Sequence, residues 1–190
     1  MERRRLAKDD WTRAALAALG EGGLAAVAIE PLAARLGATK GSAYWHFANR
    51  EALVRAALER WEAEQTDAVI ARVEVAEGPP EQLRLLFVAA VADAEASRVQ
   101  LALHAAGADP VVAPVLARVT ECHIAYLTML YAKVGFPSED AARRATLAYT
   151  TYLGTIQLCH SVPSALPADA DGRRAYLDDA MRALTVTPHA

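Results

Sequence analysis

Apolar residues recur at three- and four-residue spacing along most of the chain, and no stretch alternates in the manner of a half-buried strand. The first such stripe is Trp11, Ala14, Ala15, Ala18 and Leu19. It predicts a helix starting near Asp9 or Asp10, whose carboxylates can accept from first-turn amides, and ending at Gly20, Gly22 and Gly23. Ile29, Leu32, Ala33 and Leu36 predict a short second helix over 29–36, with Pro31 in its first turn, where a missing amide costs little. Gly37 stops it, and a third helix over 40–47 follows with Thr39 as its cap. Asn49 then caps a long fourth helix over 50–72, carrying Leu53, Ala57, Leu58, Trp61 and Ala68.

Gly and Pro mark the joints of the remainder. After Gly78-Pro79-Pro80 a fifth helix over 81–97 buries Leu83, Leu86, Phe87, Ala90 and Val91. A short sixth over 99–106 ends at Gly107-Ala108-Asp109-Pro110, and a long apolar seventh covers 111–134. Gly135-Phe136-Pro137-Ser138 leads into an eighth over 139–159, with Glu139 and Asp140 in the first turn, where the helix dipole favours them. A Pro/Ala/Asp loop and a ninth helix over 173–184 complete an all-α chain. The expected architecture is a three-helix N-terminal head, residues 1–49, and a body of about six helices, residues 50–190.

Charge separates these two parts. The chain as a whole carries −3, yet residues 1–50 hold eight Lys/Arg against five Asp/Glu, with Arg3, Arg4 and Arg5 supplying much of the excess. A basic head on an acidic body suits a molecule that meets a polyanion at one end. No apolar run is long enough to span a bilayer, and MERRRLAKDD lacks the apolar core of a secretory signal, so a cytoplasmic protein is expected. Two cysteines do not make a disulfide framework.

The segment Pro31–Phe47 carries the chemistry. Two short helices joined by a glycine turn form a helix-turn-helix, whose second helix enters the major groove. Packing Leu32, Leu36, Ala43 and Phe47 inward leaves Thr39, Lys40, Gly41, Ser42, Tyr44, Trp45 and His46 for DNA. Lys40 can reach a guanine edge or a phosphate, the hydroxyls can donate to phosphates, and Gly41 lets the backbone approach the duplex. Trp45 offers a flat surface to a thymine methyl or a sugar, and Arg50 adds charge from the next helix. Tyr44-Trp45-His46-Phe47 followed by Arg50 and Leu53 resembles the Tyr-x-His-Phe-x-x-Lys-x-x-Leu signature of TetR-family repressors. Leu32-Ala33, Leu36-Gly37 and Gly41-Ser42 stand at that family's spacing, and the close match covers about residues 10–55. Two departures stand out. Ala28 replaces a frequent Thr, and Glu30 puts a negative charge near the DNA-facing start of the second helix.

The resemblance implies a homodimeric repressor that binds a palindromic double-stranded operator and leaves it when a small molecule enters the body. It implies no cofactor, no membrane and no enzymatic activity. For the effector, a mainly apolar molecule, the candidates are Trp61, Phe87, His104, Cys122, His123, Tyr126, Met129 and Gln157. For the dimer face they are Ala145, Tyr149, Tyr152, Leu153 and Ile156, with Ala141 and Ala148, against Tyr176, Leu177 and Met181, with Ala180 and Leu184. A metal or redox sensor built on Cys122-His123 and Cys159-His160 is the alternative. Neighbouring helical residues point about 100° apart, which makes each pair a poor chelate. A helix-turn-helix protein without an effector is a further alternative, and no nucleophile elbow, phosphate loop or zinc-protease motif favours an enzyme.

Overall fold

The structure is a computed structural model that describes residues 6–92 and 94–185, with side chains described throughout except at 89–97. Arg3, Arg4 and Arg5, and the side chains of Ala90 and Val91, lie outside the described residues. Every regular element among the described residues is helical. In order these are α1 (Lys8–Gly22), α2 (Ile29–Arg35), α3 (Lys40–Tyr44), α4 (Arg50–Gln65) and α5 (Asp67–Val73). Then follow α6 (Pro79–Ala92), α7 (Ala94–Ala105), α8 (Val112–Val134), α9 (Ser138–Ser161) and α10 (Ala170–Thr185). Short 3₁₀ turns lie at Leu24–Ala26 and Pro163–Ala165. No helix is long and apolar enough to cross a membrane among the described residues.

Two compact units divide the chain. The first takes Met1–Gln65 with Arg98–Ala117, and the second Thr66–Ser97 with Arg118–Ala190. In the first, α1 packs on α4 and α2, and α2 on α3. Trp11, Ala15, Leu19, Leu32, Leu53, Leu58 and Trp61 are buried there. On the surface, Asp9 of α1 pairs with Arg60 of α4 and with Arg13, and the two cations hold its carboxyl below its ordinary range. Such exposed pairs contribute little to stability. The second unit buries Leu83, Phe87, Leu130, Tyr131 and Phe136 with Ala141, Ala145, Ala148 and Tyr149 of α9 and Leu184 of α10.

The helix ends follow local chemistry. Asp10 reaches back to accept from the Ala7 amide at 2.9 Å, so α1 starts at Lys8, a little earlier than expected. Asn49 Oδ1 accepts from the Ala52 amide at 2.8 Å at the start of α4. Replacing Asn49 with alanine removes that bond and is expected to cost about 1 kcal/mol, read by urea unfolding. Unchanged stability would show the cap to be idle.

Two boundaries differ from the sequence reading. The long fourth helix is broken at Thr66, with φ −104° and ψ −85°, and α5 begins afresh at Asp67. No Gly or Pro marks the break. The stripe simply has no apolar anchor between Trp61 and Ala68, and Ala68 itself is exposed. The expected joint between the fifth and sixth helices at 97–99 is absent, because α7 runs through Ser97, Arg98 and Val99. Ser and Arg are polar but not helix-breaking, and exposed Arg98 does not disturb the turn.

Candidate nucleic-acid interface

The helix-turn-helix is set by three local devices. At the end of α2, Gly37 takes φ 62°, a conformation that favours glycine. Its amide donates to the Ala34 carbonyl, and the Ala38 amide to that of Ala33, which closes the helix tightly. Thr39 Oγ1 accepts from the Ser42 amide at 3.3 Å and starts α3. Ala43 and Phe47 are buried and anchor α3 against the head. Leu36 is only half-buried.

This packing turns the opposite face of α3 outward. Thr39, Lys40 and Gly41 are exposed and Ser42 is half-exposed. Tyr44 is 55% exposed and Trp45 73%, the fraction expected of aromatics held ready for a partner rather than for a core. Thr39, Lys40, Gly41, Ser42, Tyr44 and Trp45 are thus all open to solvent at α3.

Two members of the expected set are also engaged within the chain. His46 is half-buried, and its Nε2 lies 3.0 Å from the Leu6 carbonyl, fixing the point where the N-terminal arm meets the end of α3. Arg50 donates from Nε to the Val27 carbonyl at 2.6 Å and from Nη2 to that of Leu24 at 2.5 Å. It clamps the 3₁₀ turn before α2 to the start of α4. Glu30, expected to repel phosphates, forms an ion pair with Lys40. Neither the arm contact, the clamp nor the pair has a local sequence signal, since the partners are 10 to 40 residues apart.

The effector candidates divide between the two units. Trp61 and His104 belong to the first. Trp61 is buried, and its indole N–H has no hydrogen-bond partner among the described residues. His104 lies 3.1 Å from Gln100 Nε2, and burial lowers its pKa. Phe87, Cys122, His123, Tyr126 and Met129 belong to the second unit. His123 packs at a tilt against Tyr149, ring centres 5.6 Å apart, and the Tyr149 hydroxyl is 3.3 Å from Thr120 Oγ1. Tyr126 has a buried hydroxyl without a partner among the described residues, and burial, then the charge of Glu74, raises its pKa. Gln157 is exposed and stands apart from them. Thr120 and Thr155, the latter 2.9 Å from the Tyr176 hydroxyl, are polar groups inside the body that the sequence reading missed. Among the described residues no cluster of three or more His, Cys, Asp or Glu is placed to hold a metal ion.

Part of the expected dimer face is occupied within the chain. Ala141, Ala145, Ala148, Tyr149 and Ile156 are buried within the chain itself, so this stripe of α9 is core and has no surface left to offer. Tyr152, Leu153, Tyr176, Leu177, Ala180 and Met181 are half-buried, and Leu184 is buried. The opposite side of α9 instead exposes Leu147 (54%) and Leu158 (37%), with exposed Gly154 in phase between them.

Comparison with known proteins agrees with this geometry. The family description "Bacterial regulatory proteins, tetR family" matches residues 12–57. No curated protein sequence is similar to the chain. Among solved structures, a transcriptional regulator from Rhodococcus sp. Rha1 superposes with TM-score 0.78 at 20% identity, covering 96% of this chain and 100% of that one. A TetR-family transcriptional regulator from Agrobacterium tumefaciens gives 0.78 at 20%, covering 94% and 97%. A protein from Saccharomonospora viridis in complex with choline gives 0.76 at 19%, covering 90% and 93%. At these identities the likeness is one of fold.

Proposed function

We propose that the chain is a TetR-family transcriptional regulator, a repressor with a DNA-binding head that a small molecule releases; residues 12–57 match the family description and the fold is shared with a solved transcriptional regulator. The head, residues 1–49, binds a palindromic operator as part of a homodimer, and residues 50–190 supply the dimer contact and the effector site. One observation carries the reading. α3 buries Ala43 and Phe47 and turns Thr39, Lys40, Ser42, Tyr44 and Trp45 outward. Phosphates are met by Thr39, Ser42 and Tyr44, and base edges by Lys40 and the flat face of Trp45. His46 and Arg50 position this surface from behind.

A dimer follows from the target. Two recognition helices about 34 Å apart meet successive major grooves on one side of a palindrome. The contact we favour is the exposed face of α9, with Leu147, Gly154 and Leu158 crossing their copies about a two-fold axis. For the effector we favour Phe87, His123, Tyr126 and Met129 of the second unit, aromatic and apolar walls with few polar groups. The choline complex of the Saccharomonospora viridis protein supports a small organic molecule in this role. A coupling of about 1–3 kcal/mol would lower operator affinity roughly 5- to 150-fold on effector binding.

The test is capture of genomic fragments by the full chain, sequencing, and titration of the recovered site at several salt concentrations. A palindrome bound by two copies, with affinity falling steeply in salt, is expected. Tyr44→Ala should weaken that binding about tenfold through loss of a hydrogen bond to a charged phosphate. No enriched fragment from folded, effector-free protein would overturn the DNA-binding role.

A further inference from the structure

The described cations of the head are largely engaged within it. Residues 6–50 hold five basic side chains, Lys8, Arg13, Arg35, Lys40 and Arg50, against four acids. Arg13 pairs with Asp9, and Arg35 with Glu21 at 2.7 Å. Arg50 is held by two carbonyls. Lys40 is the basic residue of α3, and its ammonium is in contact with Glu30 Oε1 from the first turn of α2. Both side chains stay open to solvent, Lys40 57% and Glu30 67% exposed.

This contact has a consequence for DNA. A carboxylate held on the Lys40 ammonium comes within a few ångströms of whatever that ammonium touches. Phosphate oxygens, guanine O6 and the purine N7 atoms all repel it. The major groove offers a carboxylate only two donors, the amino groups of cytosine N4 and adenine N6. Cytosine is the one whose partner base carries the O6 and N7 acceptors that lysine prefers. A single G·C pair therefore presents, side by side, an acceptor edge for Lys40 and a donor for Glu30.

Resting on the DNA-binding reading above, we propose that Glu30 is a specificity-determining residue. Its carboxylate accepts from a cytosine amino group while Lys40 donates to the guanine edge. Where the duplex lacks G·C at that position, the two side chains satisfy each other. The neutral pair then displaces no counterion, so Lys40 adds little to binding away from the operator. Glu30 thus supplies discrimination, and the departure from the family pattern at this position is part of the reading surface.

The experiment is selection from duplexes with randomised cores, using the full chain as wild type, Glu30→Gln, Lys40→Met and Glu21→Gln. Glu30 and Glu21 are both exposed, so the variants keep the fold, which thermal melting checks. The wild type is expected to fix a G·C pair in each half-site. Glu30→Gln should relax that preference at least about fivefold and admit adenine, since a glutamine amide matches adenine N6 and N7. Lys40→Met should lose preference at the same position, and Glu21→Gln should select the wild-type site. A Glu30→Gln variant that selects the wild-type site at equal stringency overturns the proposal. So does one that, like Glu21→Gln, tightens binding to selected and random duplexes alike, which is a charge effect without base reading. If the wild type itself enriches no sequence, the DNA-binding role fails first and the proposal falls with it.

Discussion

Arginine in place of Gly154 is expected to leave the chain folded and to lower operator affinity about 10²–10⁴-fold. Gly154 lies well inside α9, where a glycine costs about 1 kcal/mol relative to alanine. Nothing among the described residues explains why that cost is carried, because a Cβ built at Gly154 meets none of their atoms within 4 Å. A second copy crossing there does explain it, since the missing side chain lets two helices approach closely. Leu147 and Leu158, one turn or more to either side, are exposed apolar groups that such a crossing would cover. An arginine would hold the helices apart and place an unpaired charge in the contact. Each head would then meet its half-site alone, and the gain from linking two binding events would vanish. Sedimentation velocity and operator titration on the same samples check this. A variant that remains dimeric and binds at wild-type strength would move the interface off α9.

The head was legible because its signals are local. Gly37, Thr39 and Asn49 each act on backbone groups within five residues. The spacing of Leu32, Ala43 and Phe47 decides which side of α3 faces out. What stayed hidden depends on partners far along the chain. His46 meets Leu6, and Arg50 meets Val27 and Leu24, contacts that no local pattern announces. In the body the ambiguity was of another kind. α9 carries a stripe of Ala and Tyr on one side and Leu147, Gly154 and Leu158 on the other. Both look suited to a helix contact. Periodicity says that a face is apolar but not whether its partner is the same chain or a second copy. The richer stripe, Ala141 to Ile156, proved to be the internal one. Gln157 illustrates the same limit, because one residue's step along α9 carries a side chain from the core at Ile156 to solvent. The break at Thr66 has no local signal, because helix ends without Gly or Pro are decided by packing beyond the local window.

Stability between pH 10 and 12 is expected to fall by about 2 kcal/mol more in the wild type than in Tyr131→Phe. Tyr131 is completely buried in the second unit, edge-on to Phe136 with ring centres 5.7 Å apart. Its hydroxyl has no hydrogen-bond partner among the described residues. Burial pushes its pKa from 10.0 up to about 12, against a smaller opposing pull from the Arg144 guanidinium. That guanidinium lies 4.4 Å from the Phe136 ring centre and donates to the Leu184 carbonyl. The folded pKa lies above the unfolded one, so the unfolded chain loses its phenolic proton first as pH rises. Stability from this group is therefore whole below pH 10 and drains away until the folded form also ionises near pH 12. The slope is steepest midway through that window, where it approaches about 1.4 kcal/mol per pH unit. Phenylalanine keeps the ring and its contact with Phe136 but removes both the titration and an unpaired buried hydroxyl. At neutral pH the variant should thus match or exceed the wild type, by on the order of 1 kcal/mol. Urea unfolding of both proteins from pH 8 to 12 makes the comparison, and the other tyrosines and lysines cancel in the difference. Parallel curves would mean that Tyr131 reaches water or a bonding partner in solution, and a less stable variant at pH 7 would show that its hydroxyl is bonded after all.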